Sequence, residues 1–138
     1  STLFPYTTLF RSPDRQEIKK YVLLKEEAFG LVKMEEYTEA IEIYRECLPL
    51  CPVTLQDTIL ANMAQCFLSL GSFESVMSTC GEVLMRNSKH IKARYRRAKA
   101  MKMMGQYGEA IEDLKVVLEV DPGNKEAKRE LLECQMFV

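Results

Sequence analysis

The sequence predicts an all-α fold, a stacked array of three helical hairpins closed by a C-terminal capping helix. Three observations predict it: a residue pattern that recurs about every 34 positions, apolar residues three and four apart within each recurrence, and Gly or Pro where the helices so marked must end. The units are residues 21–54, 57–90 and 91–124, with Leu55 and Gln56 inserted after the first. Their eighth position is small (Ala28, Ala64, Ala98) and their seventeenth aromatic (Tyr37, Phe73, Tyr107). The twentieth is Ala40, Val76 or Ala110, and the twenty-eighth is Leu48, Leu84 or Leu118.

Each unit reads as two amphipathic helices. In the first, Ile18, Tyr21, Leu24, Ala28, Leu31 and Met34 form one apolar face, and Tyr37, Ala40, Ile41, Tyr44, Cys47 and Leu48 form the next. The recurrent alanines let paired helices approach closely, and the aromatic fills the gap beside them. Gly71 and Gly105, at the fifteenth position, suit the left-handed turn that ends a first helix, whereas Glu35 in the same place is a poorer terminator. Pro52 and Pro122 stop second helices, and Pro49 should end or kink its helix early. Lys125 to Gln135 reads as the capping helix, with Ala127, Leu131 and Cys134 inward and Lys125, Lys128, Arg129, Glu130 and Glu133 largely outward.

Composition bounds the rest. A chain of 138 residues, 47% hydrophobic, can bury one core without disulfides or metals. No run approaches the ~18 consecutive apolar residues of a membrane helix. Five cysteines with no CxxC pair fit reduced, packed thiols in a cytoplasmic protein better than a secreted disulfide framework. Residues 1–12, STLFPYTTLFRS, show no helical period and no signal-peptide order. They resemble, letter for letter, one reading frame of a short-read sequencing adapter, so the expected repeat domain is residues 13–138 and the natural N-terminus lies elsewhere. Without them the balance is 18 basic to 20 acidic residues.

At these fixed offsets the three units resemble the tetratricopeptide repeat (TPR) family, most closely in KARYRRAKAMKMMGQYGEAIEDLKVVLEVDPGN. The resemblance implies a right-handed α-solenoid with a concave groove lined by the first helices, where an extended peptide is held. The positions it assigns to that groove carry six cations (Lys25, Lys33, Lys92, Arg96, Lys99, Lys102) against one acid, Glu26. Between Glu82 and Glu109 there are eight basic residues and no acidic one, a local positive potential suited to an anionic partner. Within the family, co-chaperones of the carboxylate-clamp type hold the acidic C-terminal tail of heat-shock chaperones. Lys25, Asn62, Lys92 and Arg96 stand where that pattern has its lysines, second asparagine and arginine, and Phe29 replaces its first asparagine. The expected peptide-binding set is therefore Lys25, Phe29, Asn62, Lys92, Arg96 and Lys99.

Plainer readings stand beside this one. Lys25, Lys92 and Arg96 also fit ordinary solvated helix charges. Phe29 fits a groove wall or packing against the next repeat, and Tyr95 a groove lid or packing within its hairpin. Met34, Met63, Met77, Met101 and Met104 read as core filler. Cys47 and Cys51 lie one turn apart without the further ligands a zinc site requires, so no metal or cofactor is expected. The single histidine, His90, has only basic neighbours, and no phosphate loop or nucleophile elbow occurs, so the chain reads as a non-enzyme, with any catalytic domain upstream. Neither a small-molecule substrate nor a membrane is expected as partner. The weaker alternatives are a scaffold for another protein and nucleic-acid binding by the basic helix 89–102.

Overall fold

The computed structural model describes residues 12–138, so the adapter-like segment lies outside the described residues, Ser12 apart. Among them seven α-helices follow one another: α1 Arg15–Lys33, α2 Tyr37–Cys47, α3 Gln56–Ser69, α4 Phe73–Arg86, α5 Ile91–Met103, α6 Tyr107–Val120 and α7 Lys125–Gln135. Short 3-10 turns at Leu48–Leu50 and Val53–Leu55 link α2 to α3, and no strand occurs among the described residues. Two compact units divide between Cys66 and Phe67, inside α3.

In the first unit α1 packs on α2. A reciprocal capping box starts α1: the Glu17 amide donates to Asp14 Oδ1 at 2.9 Å, and the Asp14 amide to Glu17 Oε1 at 3.0 Å. The helix therefore begins six residues before the first repeat unit. Ala28 and Ala40 are fully buried, with Tyr21, Ile41, Tyr44 and Cys47 around them. Two residues of the expected apolar face are not core: Ile18 is 41% and Met34 67% exposed. Met34 is the C-cap of α1 and has left the helical register there. The next residue, Glu35, adopts φ 60°, and it is the one non-glycine with positive φ among the described residues. Gly71 and Gly105, at φ 74° and 80°, take the same conformation without a Cβ penalty. Pro49 acts as expected, because α2 stops at Cys47 and the chain tightens into a 3-10 turn.

In the second unit α5 packs between α4 and α6, and α7 closes on α6 while touching α5. The core joins Ala98, Met101, Ala110, Ile111, Leu114, Val117, Ala127 and Cys134, with Met77, Tyr95, Met104, Tyr107 and Leu131 packed against it. Side chains start two helices of this unit, α5 and α7: His90 Nδ1 accepts from the Ala93 amide at 3.2 Å, and Asn124 Oδ1 from the Ala127 amide at 2.9 Å. Ala127 and Cys134 face inward as expected. Glu130 corrects the expectation for α7: it is 7% exposed and turned toward α5, because two lysines wait for it there.

Candidate functional site

The first unit presents the α1 face that carries Lys25 and Phe29. Lys25 is half-buried, its ammonium 5.5 Å from the Tyr21 ring centre. Phe29 is 55% exposed with the Lys33 ammonium 4.6 Å above its ring, so it is not core packing of its unit. Asn62 lies half-buried on α3 between the buried Ala61 and Met63. Behind this surface, burial pushes the Cys47 thiol up to about 12 and the Cys51 thiol up to about 11. Tyr21, also pushed up to about 12 by burial and by Cys51, shares a hydrogen bond with that thiol. Such thiols stay protonated at neutral pH and are poor nucleophiles and metal ligands. Among the described residues no His, Cys, Asp or Glu cluster of three or more could hold a metal ion, and no helix is long and apolar enough to cross a membrane.

The second unit concentrates its charge on α5, which carries Lys92, Arg94, Arg96, Arg97, Lys99 and Lys102. Helical spacing sorts them. Lys92, Arg96 and Lys99, four and three apart, share one face. Lys92 is exposed and Arg96 half-buried, near enough to the buried Cys80 thiol to oppose the desolvation that pushes it up to about 12. Arg94 and Arg97 turn instead to Asp113 of α6, which is only 2% exposed. Arg94 Nη1 and Arg97 Nη2 each donate to Asp113 Oδ1 at 2.8 Å, and Arg97 Nε donates to Oδ2 at 2.8 Å. The bond to Asp113 raises the Arg97 pKa despite burial.

Lys99 and Lys102 meet α7. Glu130 Oε2 lies 3.4 Å from Lys99 Nζ and its Oε1 2.9 Å from Lys102 Nζ, and Lys102 also bonds Glu133. The Lys102 bond holds the Glu133 carboxyl below its usual range, and Glu133 and Glu130 together raise the Lys102 pKa. Tyr95 packs against the core of this unit with Lys99 5.9 Å from its ring centre, which favours hairpin packing over a lid.

Sequence reasoning missed Asp113, Glu130 and Glu133 because their partners are 16 to 31 residues away. One signal was available for Asp113. It falls in register with Ala110, Leu114 and Val117, so an acid on an apolar face required a cation opposite.

No protein-family model matches the chain. Rat sperm-associated antigen 1 is 36% identical over 120 residues, covering 87% of this chain and 13% of that protein. The chain thus spans a small part of the relative it matches. The second TPR domain of human RPAP3, solved in complex with HSP70 peptide SGPTIEEVD, aligns with TM-score 0.76 and 27% identity over 86% of this chain and 98% of that one. The first TPR of Spaghetti (RPAP3), bound to HSP90 peptide SRMEEVD, gives 0.78 and 29% over 90% and 94%. The fold is that of the TPR domains: all-α, three helical hairpins and a capping helix.

Proposed function

We propose that this chain is a peptide-binding module that captures the acidic C-terminal tail of a chaperone, as a co-chaperone or adaptor does. On the second unit Lys92 and Arg96 engage the terminal carboxylate, and on the first unit Lys25 and Asn62 are the cation and amide that the carboxylate-clamp resemblance assigns to peptide binding. Phe29 offers an apolar wall, and Lys99 is the next cation along α5. The observation that carries the reading is the α5 face, where Lys92 and Arg96 stand one turn apart, Lys92 exposed and Arg96 half-buried. A carboxylate can meet both side chains at once, and a charge-assisted hydrogen bond contributes about 1.5–3 kcal/mol. The two RPAP3 structures, which hold peptides ending in EEVD, support the same chemistry here.

Four of the six α5 cations sit against carboxylates of α6 and α7, so little of the basic helix is left for phosphates, and the nucleic-acid reading loses its footing. Isothermal titration with SRMEEVD and its C-terminally amidated form tests the proposal. Amidation should weaken binding by about tenfold or more, one charge-assisted bond's worth. Added salt should weaken the free-acid complex, because exposed charges are screened over ~8 Å at physiological ionic strength. Equal affinity for the two peptides would end the carboxylate reading.

A further inference from the structure

We infer that Glu130 and Glu133 of α7 are an internal acidic ligand for Lys99 and Lys102, and that they restrict which acidic residues of a bound peptide the α5 face can reward. The inference rests on the peptide-binding reading above and asks what sets its selectivity. Two acids three residues apart on α7 face two lysines three residues apart on α5, in the manner of an acidic peptide laid along the helix. Glu130 is 7% exposed, so its charge is held where water competes little, and it touches both ammonium groups. The depressed Glu133 and elevated Lys102 pKa values show the same mutual stabilisation of charge.

The reach of a peptide makes this consequential. An α-helix rises ~1.5 Å per residue, so Lys99 and Lys102 lie about 10 and 15 Å along α5 from Lys92. An extended chain advances about 3.3–3.6 Å per residue. With its terminal carboxylate between Lys92 and Arg96, SRMEEVD places its glutamates two and three residues upstream, about 7 and 10 Å farther along α5 and within side-chain reach of Lys99 and Lys102. In the native protein those lysines already hold α7 carboxylates. Positive potential is therefore damped at the Lys99–Lys102 end of α5, and the terminal carboxylate, rather than upstream acids, fixes the peptide's register.

Titrating SRMEEVD and an analogue with both glutamates changed to glutamine separates this from the carboxylate reading. In the native protein the two peptides should bind within about threefold of each other, the span of a screened, exposed charge pair. In the Glu130→Gln/Glu133→Gln variant the acidic peptide should gain on its analogue by about tenfold, as expected when charge-assisted bonds become available. An unchanged ratio in a folded variant would overturn the inference, whatever amidation does. Loss of the amidation effect alone would overturn only the carboxylate reading. Because Glu130 is buried, Glu133→Gln alone serves where the double variant does not fold. The Glu133 side chain is 44% exposed, and the single change should move the ratio in the same direction by a smaller factor. A ratio unmoved by it would also overturn the inference.

Discussion

Asp113→Asn isolates the interaction that fixes α5 against α6. The aspartate accepts three hydrogen bonds at 2.8 Å from two guanidinium groups while 2% exposed. Asparagine keeps the shape, but one of its two terminal atoms becomes a donor facing another donor, and both arginines lose their counter-charge. Breaking a fully buried ion pair costs about 3–5 kcal/mol. Here the Arg94 and Arg97 side chains retain 20% and 25% exposure and recover some hydration, which lowers the expected loss to about 2–4 kcal/mol. Against a domain stability of about 5–15 kcal/mol this is a large fraction.

Urea denaturation should show the midpoint falling by about 1–2 M with an unchanged slope. The exposed Lys115–Glu112 pair, 3.9 Å apart with side chains 57% and 74% exposed, is the internal control. Its removal should cost no more than about 0.5 kcal/mol. A loss below about 1 kcal/mol for Asp113→Asn would refute the argument that burial and bidentate geometry separate the two pairs. The network need not exceed a well-packed apolar substitute in net stability. Its distinct effect is to hold Arg94 and Arg97 on one side of α5, so that Lys92 and Arg96 keep the other.

Two further changes follow from local features. Glu35→Gly relieves a side-chain-bearing residue at φ 60° and should stabilise the protein by about 0.5–1 kcal/mol in the same urea assay, the strain relief exceeding the flexibility glycine adds to the unfolded chain; destabilisation would show that Glu35 makes a compensating contact. The Cys47, Cys51 and Cys80 thiols are pushed by burial to about 12, 11 and 12, above the unfolded value of about 8.5. Raised acids favour the native state's neutral form, so their contribution is fully present below about pH 8.5 and declines as the pH climbs toward the native values. The melting temperature should therefore fall between about pH 9 and 11, and a flat or rising profile would contradict the assignment.

The sequence by itself determined the helices and their order. The 34-residue recurrence placed Ala28, Ala64 and Ala98 at close helix contacts, Gly71 and Gly105 at left-handed turns, and Pro49 at the early end of α2, because each of these depends on backbone sterics within a few residues. The Asp14–Glu17 capping box was equally local and was readable as D-x-x-E ahead of an apolar run. Local pattern also marked Lys92 and Arg96 as neighbours on one helical face. It could not tell which cations of α5 are committed elsewhere. Arg94, Arg97, Lys99 and Lys102 look alike as a basic run, yet α6 brings one carboxylate to the first two and α7 brings two to the others. Only the tertiary structure decided this, because an ion pair depends on which helix packs beside which, and the partners lie too far apart along the chain for any short period to reveal.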